Sequence, residues 1–172
     1  MPDKKRRTPM IYEVEGDLML SRAHLIVQGV ATNDPMTRGL ARKLSQRYPA
    51  LAKDFQSWYV EEQPEPGQLW LWGEPGKPQV LNLITHQGDS ENPARLGRPN
   101  KIAVNRAFRA LNSLYTEQRF KSIAMPKIGA GEFGLDWAEV RDMLHAQLGQ
   151  LLIPIFVYTK ELDGQVAHEP GL

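Results

Sequence analysis

The sequence predicts an α/β fold, a three-layer α/β/α domain built around a mixed central sheet. The run HLIVQGV at His24–Val30 is nearly continuously apolar, which is typical of a strand covered by helices on both faces. Strand-like runs of this kind alternate with segments whose apolar residues recur at helical spacing, such as the segment after Pro99. This alternation favours a layered α/β domain over separate helical and sheet domains.

The first half of the chain predicts two strands and two helices. Met10–Val14 and His24–Val30 are the strands, and VATNDPMTRG, which begins at Val30, has the residues of a loop. Two helical faces follow, and Pro49 separates them. The first face consists of Leu40, Ala41, Leu44 and Tyr48, and the second of Leu51, Phe55, Trp58 and Tyr59.

The second half predicts four strands and two helices. Pro99 suits the first position of one helix, where a missing N–H costs nothing. Asp136 and Glu139 have the spacing of a capping box that begins the other. Residues 85–93 have the composition of a long polar loop of the kind that carries function. The predicted strands are Leu69–Trp72, Val80–Thr85, Lys121–Met125 and Ile153–Tyr158.

Composition excludes several classes of function. The chain has 172 residues, of which 41% are hydrophobic, enough for one domain with a substantial core. Its net charge of +1 gives no general attraction to nucleic acid or anionic membranes. The absence of cysteine excludes thiolate nucleophiles, disulfides and cysteine metal sites. No group of His, Asp and Glu has metal-ligand spacing, so we expect neither a metal nor a cofactor.

The chain reads as one domain between two tails. We expect a basic tail over residues 1–9, a single domain over 10–160 and a second tail over 161–172. The polar start carries no apolar leader, and no apolar run approaches the length of a membrane span. These features predict a cytoplasmic protein without a membrane partner, and we expect a monomer.

Three glycines in MPKIGAGEFGLDW give this loop the pattern G-x-G-x-x-G, at Gly129, Gly131 and Gly134. A Rossmann dinucleotide site needs a second nucleotide-binding half, and the 38 residues after Gly134 are too few to build one. The loop is then either a strand-to-helix turn that needs positive φ angles or a phosphate cradle. In the second case, N–H groups between Ala130 and Leu135 would converge on an anion.

Four segments in order resemble the macrodomains, a family that binds ADP-ribose. EGDL at Glu15–Leu18 is similar to the early Gly-Asp of that family. AHLIVQG followed by MTRGLA is similar to the branch that contains terminal ADP-ribose glycohydrolases and DNA ADP-ribosyl glycohydrolase antitoxins. MPKIGAG resembles its diphosphate loop, and IFVYT resembles its last strand. The resemblance runs from Met10 to Tyr158 and implies a macrodomain fold.

The resemblance also implies a set of ligand contacts. The carboxylate of Asp17 would hold the adenine amino group, although an aspartate after a strand also forms turns. Tyr158 would lie against the adenine, with core packing as the alternative. The implied ADP-ribose contacts are Asp17, Leu18, Gln28, Asn33, Met36, Thr37, Arg38, Gly39, Thr85, Ile128, Gly129, Ala130, Gly131, Glu132, Phe133, Gly134 and Tyr158.

The chain departs from the family at the position that carries the chemistry. The related hydrolases have a lysine after their "IT" or "PT", and here His86 follows Thr85. An imidazole exchanges protons near neutral pH, so His86 is one candidate for catalysis, and Asp34 is another. The fungal-type ADP-ribose-1″-phosphate phosphatases also resemble this chain, and they implicate a histidine that matches His24.

These residues predict an ADP-ribosyl glycohydrolase that removes mono-ADP-ribose from DNA or protein. The alternatives are an ADP-ribose-1″-phosphate phosphatase and a reader that binds ADP-ribose without turnover. For His86 the competing interpretation is a loop histidine without a role, and for His24 it is a packed core histidine. The implied partners are ADP-ribose or an ADP-ribosylated macromolecule, with an ADP-ribosyltransferase toxin encoded nearby.

Overall fold

A six-stranded sheet forms the centre of the molecule in the computed structural model, which describes residues 8–74, 77–95, 97–131 and 133–172. The strand order is β1-β6-β5-β2-β4-β3, and all neighbours pair in parallel except β3 and β4. The strands are β1 (Ile11–Gly16), β2 (Leu25–Ala31), β3 (Leu69–Trp72), β4 (Gln79–His86), β5 (Ile123–Pro126) and β6 (Ile155–Glu161).

Four α-helices cover the two faces of this sheet. They are α1 (Gly39–Arg47), α2 (Ala50–Glu62), α3 (Lys101–Gln118) and α4 (Trp137–Leu148). None of the helices in the described part of the chain has the length and apolar character needed to cross a membrane.

Alternation along the strands divides the core into two parts. In β4, Leu81 and Leu83 pack with α3 and α4, whereas Val80 and Ile84 pack with α1 and α2. The same alternation holds in β2, where Leu25 contributes to the first core. Both sides of the central strands are therefore apolar, as the run at residues 24–30 predicts. The predicted three-layer architecture with a mixed sheet is confirmed.

The start of α3 differs from the sequence prediction. Pro99 lies two residues before the helix, and Asn100 is the N-cap. The Asn100 side chain accepts hydrogen bonds from the N–H groups of Ile102 at 2.9 Å and Ala103 at 3.2 Å. An amide oxygen satisfies the free donors of the first turn, which proline cannot do.

At α4 only half of the predicted capping box forms. Asp136 caps the helix by accepting from the N–H of Ala138 at 3.3 Å. The Glu139 carboxylate lies 3.7 Å from the ammonium of Lys101 on α3. An ion pair between neighbouring helices thus replaces the bond that would return to the cap residue.

The C-terminal segment is part of the compact domain. The Glu169 carboxylate is buried and accepts hydrogen bonds from the hydroxyls of Ser21, at 2.6 Å, and Tyr158, at 3.0 Å. Ala167 is buried against Gly16. The predicted tail over 161–172 is therefore packed against β1 and β6, because it supplies a carboxylate to the hydroxyls of the buried Tyr158 and the half-buried Ser21. Residues 1–7 of the predicted basic tail lie outside the described residues.

We expect Asn100→Ala to lower the free energy of unfolding by about 1 kcal/mol, because two N–H groups of the first turn lose their acceptor. Urea denaturation measures the change. Asn100→Asp retains a capping oxygen and should unfold close to wild type. Equal losses in the two variants would show that the cap does not stabilise α3.

Candidate functional site

A pocket of about 370 Å³ opens at the carboxyl ends of the central strands. Ligands bind at this edge of open α/β sheets, where strand ends and helix N-termini meet. The predicted site residues that line the pocket are Gln28, Asp34, Thr37, Arg38, Gly39, His86, Ala130, Gly131, Phe133 and Gly134. The predicted contact Glu132 lies outside the described residues.

The N-terminus of α1 forms one wall of the pocket. Gly39, Leu40 and Ala41, the first three residues of the helix, line it. Their N–H groups precede the first intrahelical bond, which Arg42 donates to the carbonyl of Arg38 at 3.2 Å. Within the described residues, the side chain of Arg38 does not cap the helix. The helix start thus presents free donors and a positive dipole end to the pocket.

The glycine loop forms the opposite wall and is folded on itself. Leu135 donates its N–H to the carbonyl of Gly129 at 2.7 Å, and Ala130 donates to Lys127 at 3.1 Å. Gly129 and Gly131 have φ angles of 71° and 146°, which favour glycine. A Cβ on Gly134 would collide with the carbonyl of Gly129. The glycines are therefore needed for the turn itself as well as for a close approach of ligand.

Only part of the predicted amide cradle is available. The N–H groups of Ala130, Gly134 and Leu135 donate within the loop. Among the described residues, those of Gly131 and Phe133 donate to no other main-chain group. Asp136 caps the N-terminus of α4, so a carboxylate already balances the positive end of that helix dipole. The open helix start that faces the pocket is that of α1.

His86 lies half-buried at the end of β4 and lines the pocket. Its Nδ1 lies 2.9 Å from the hydroxyl oxygen of Thr85. Burial lowers the pKa of His86 below its usual value of 6.5, and the nearby carboxylate of Asp34 acts in the opposite direction. His86 is therefore a neutral imidazole at physiological pH, able to accept a proton.

Asp34 also lines the pocket, and its carboxylate shapes the loop. One oxygen accepts from the N–H of Met36 at 2.8 Å and the other from Ala31 at 3.3 Å. These bonds hold the tight turn in which Met36 has a φ angle of 57°. Asp34 thus places a negative charge beside His86 while it forms the turn that leads into α1.

The loops after β2 and β4 are joined by hydrogen bonds. The buried Thr32 donates its N–H to the carbonyl of His86 at 3.1 Å, and its hydroxyl accepts from the N–H of Gly88 at 2.9 Å. The predicted ligand contact Asn33 donates from Nδ2 to the carbonyl of Asp89 at 2.8 Å, and its Oδ1 is buried beside Gly88. Asn33 is thus placed between two loops and does not line the pocket.

Asp17, the predicted adenine contact, lies at the end of β1 outside the pocket lining. Its carboxylate accepts from the N–H groups of Met19 at 3.0 Å and Gly164 at 2.9 Å. These bonds lower the pKa of Asp17. Glu161 and Asp163 lie close by, and the ammonium of Lys43 is 3.1 Å from Asp163 and 3.8 Å from Glu161.

His24 is at the other end of the sheet. It precedes β2, whose carboxyl end forms the pocket. Its Nδ1 accepts from the N–H of Lys121 at 3.2 Å, and its ring packs edge-on against Phe120. The structure therefore does not bring His24 to His86 and Asp34, and the alternative interpretation, a packed structural histidine, describes its contacts.

The remaining predicted contacts belong to the core or the sheet. Tyr158 is buried, donates its hydroxyl to Glu169 and has a pKa raised by burial. Gln28 lines the pocket, but its side-chain amide donates to the buried Asn82 at 2.8 Å. Beyond the pocket lining lie Leu18, Met36, Thr85 and Ile128, all buried, and Gly129.

Sequence reasoning missed the far side of the pocket. Arg95, Gly97 and Pro99 line it, and they follow Pro93, the last residue of the loop predicted over residues 85–93, which also lines the pocket. The guanidinium of Arg95 lies 3.4 Å from the carboxylate of Asp89. The signal that this loop continues is its lack of helical or strand periodicity until Asn100.

Comparison with known proteins supports the fold. Residues 83–144 match the family model described as Macro domain. The macrodomain of Thermus aquaticus DarG has a TM-score of 0.77 to this chain at 23% identity, covering 87% of this chain and 97% of that one. The chain has the macrodomain fold. The fold that its motifs imply is confirmed.

Two further proteins that resemble this chain are more than twice its length. Thermosipho africanus DarTG in complex with ADP-ribose has a TM-score of 0.75 at 23% identity, covering 91% of this chain and 42% of that chain. The DNA ADP-ribosyl glycohydrolase of Thermus aquaticus is 24% identical over 162 residues, covering 92% of this chain and 43% of the relative. The chain thus spans about two fifths of the length of each of these two proteins.

The lowered pKa of His86 predicts a pH dependence of stability. Between the pKa in the folded chain and about 6.5, the unfolded chain binds more protons, so the free energy of unfolding falls as the pH drops through this range. His86→Gln removes this contribution. We expect a smaller loss of stability in the variant than in wild type when urea denaturation is compared at about pH 7.5 and about pH 5.5. Equal losses would contradict the burial of a neutral imidazole.

Proposed function

We propose that this macrodomain binds ADP-ribose and hydrolyses the bond that joins ADP-ribose to a macromolecule. The observation that carries the proposal is the pocket in which an open helix start, a glycine loop and a half-buried histidine face one another. Its volume of about 370 Å³ lies within the range of small-molecule sites. The names of relatives, DNA ADP-ribosyl glycohydrolase, and of a neighbour solved with ADP-ribose support the same ligand.

The diphosphate would bind between α1 and the glycine loop. The free N–H groups of Gly39, Leu40 and Ala41 and the helix dipole attract an anion there. Gly131 and Gly134, without side chains, let a phosphate approach the main chain. This placement puts one phosphate-bound ribose beside His86 and Asp34, and directs the other toward the opposite end of the sheet edge.

The adenosine end would extend over β5 and β6 toward Asp17. In the strand order β1-β6-β5, β1 is two spacings from β5, which is about 10 Å. A carboxylate offers about four lone-pair positions, and the N–H groups of Met19 and Gly164 use two of those on Asp17. An adenine amino group therefore still finds an acceptor there.

Hydrolysis would take place at C1″ of the ribose beside His86. The oxygen of a water molecule forms a bond to C1″, and the bond from C1″ to the macromolecule breaks with its electron pair on the leaving atom. The water proton passes to the neutral imidazole of His86, and the leaving atom takes a proton from solvent. Asp34 stabilises the positive charge that develops on the sugar.

DNA or protein is the modified macromolecule in this proposal. Arg38 and Arg95 line the mouth of the pocket with exposed guanidinium groups, which suits a target that carries phosphates. The relative from Thermosipho africanus is named as a fusion of a DNA ADP-ribosyl transferase with a DNA ADP-ribosyl glycohydrolase. A separate ADP-ribosyltransferase is accordingly the partner class that would supply the substrate.

A reader without turnover is the second candidate. It is favoured by the pocket lining, which among the described residues contains arginines and a histidine and no lysine. The ADP-ribose-1″-phosphatase is less favoured, because His24 lies at the opposite end of β2. Binding and turnover must therefore be measured separately.

Calorimetric titration with ADP-ribose and AMP tests the binding half of the proposal. We expect ADP-ribose to bind and AMP to bind more weakly, because AMP lacks the second phosphate and the ribose that would lie beside His86. Gly134→Ala should weaken ADP-ribose binding by displacing the loop, whereas Ser113→Ala, at an exposed position of α3 outside the pocket, should not. Failure of wild type to bind ADP-ribose would reject both the hydrolase and the reader.

Turnover is tested with ADP-ribosylated DNA, ADP-ribosylated protein and ADP-ribose-1″-phosphate in separate incubations. We expect His86→Gln to lower the rate of ADP-ribose release by roughly 10²–10⁴-fold, which is the usual effect of losing a general base. The affinity for ADP-ribose should change little. His145→Gln removes an exposed histidine of α4 and serves as the matched control. Tight binding without release from any substrate would support the reader without turnover. Release only from the 1″-phosphate would support the phosphatase.

A further inference from the structure

Thr85 and His86 form a hydrogen-bonded pair at the end of β4 that the proposed reaction does not yet use. Thr85 is buried, and its hydroxyl oxygen lies 3.3 Å from the carbonyl oxygen of Val30 and 2.9 Å from Nδ1 of His86. The register of β2 with β4 shifts here, since Val30 pairs with Ile84 and Ala31 pairs with His86. Thr85 is thus the extra residue of a bulge, a feature that re-aims side chains beside functional sites.

Both contacts of the Thr85 hydroxyl are hydrogen bonds in only one arrangement of the protons. A carbonyl oxygen only accepts, so the contact with Val30 is a hydrogen bond only when the hydroxyl donates to it. The hydroxyl has one proton and has then none left for His86. The 2.9 Å contact is satisfied when Nδ1 of His86 carries the proton and donates to the Thr85 oxygen. If the hydroxyl instead donated to Nδ1 of His86, the oxygens of Thr85 and Val30 would face each other as two acceptors in a buried place.

We propose that Thr85 is a positioning residue that holds His86 in the Nδ1–H tautomer, so that Nε2 is the atom that accepts the proton. This inference rests on the proposed function for its catalytic meaning and on the hydrogen bonds alone for the tautomer. It differs from the prediction that Thr85 contacts the ligand, since the buried hydroxyl is occupied by Val30 and His86.

Space on the other edge of the ring agrees with this assignment. Gly97 lies against that edge, and a Cβ at this position would be 2.5 Å from Cδ2 and 2.9 Å from Nε2 of His86. Both Gly97 and His86 line the pocket. The ring is therefore held at Nδ1 by Thr85, and its Cδ2–Nε2 edge lies where only a glycine fits at residue 97. Among the described residues, the charged groups that line the pocket with the ring are Asp34, Arg38 and Arg95.

Long-range ¹H–¹⁵N correlation spectra of the imidazole rings test the tautomer without any substrate. At a pH where His86 is neutral, we expect wild type to show a protonated Nδ1 and an unprotonated Nε2. Thr85→Ser keeps the hydroxyl and should keep this pattern. Thr85→Val has nearly the same shape without the hydroxyl, and the ring should shift toward the Nε2–H form. A wild-type spectrum with Nε2–H would overturn the proposal.

Release of ADP-ribose from ADP-ribosylated DNA then tests the catalytic meaning. We expect Thr85→Val to lower kcat by at least about tenfold with unchanged ADP-ribose affinity, and Thr85→Ser to restore it, as for other orienting partners of a histidine. Equal rates in all three proteins would overturn the positioning role. An Nδ1–H spectrum in a protein that releases ADP-ribose from no substrate would reject the hydrolase and leave the tautomer assignment standing.

Discussion

The hydrogen bonds that tie the end of β2 to the end of β4 are the constraint on which the pocket depends. Thr32 is fully buried, and its main chain and hydroxyl engage the carbonyl of His86 and the N–H of Gly88. Asn33 adds a bond to the carbonyl of Asp89. Two long loops without regular structure would otherwise be free to separate, and the histidine would lose its position relative to α1.

These hydrogen bonds between the loops after β2 and β4 give the pocket at the sheet edge two chemically distinct walls. The α1 side offers unpaired N–H groups and a helix dipole, which favour an anion. The β4 side offers a neutral imidazole beside a carboxylate, which favours proton transfer next to a developing positive charge. A ligand that carries a diphosphate and a reactive sugar a few bonds apart suits both walls at once.

Periodicity predicted the fold because both faces of the sheet are buried by helices, so the strands at residues 24–30 and 80–85 are apolar without alternation. The ends of the helices were harder to predict from the sequence. Pro99 and Asn100 both suit a helix start, and the amide cap prevails because only it can satisfy two N–H groups. The C-terminal segment has no periodic pattern, and it is ordered by the buried carboxylate of Glu169, which composition cannot reveal.

Those parts of the candidate site that consist of short sequence motifs were predictable from the sequence. Those parts that depend on contacts between distant residues were not. The glycine loop, Arg38, Asp34 and His86 were found because their residue types at strand ends are informative. Asn33 and His24 have equally informative types, yet Nδ2 of Asn33 bonds to the main chain of Asp89 and Nδ1 of His24 to that of Lys121, partners that are distant in sequence. Arg95 and Gly97 reach the pocket through a loop path that no local pattern encodes.

A crystal structure of the chain soaked with ADP-ribose tests the central claim most directly. The account predicts the diphosphate between the N-terminus of α1 and the glycine loop, with C1″ of the distal ribose facing Nε2 of His86. Density for the ligand elsewhere on the molecule, or a distal ribose turned away from His86, would contradict it.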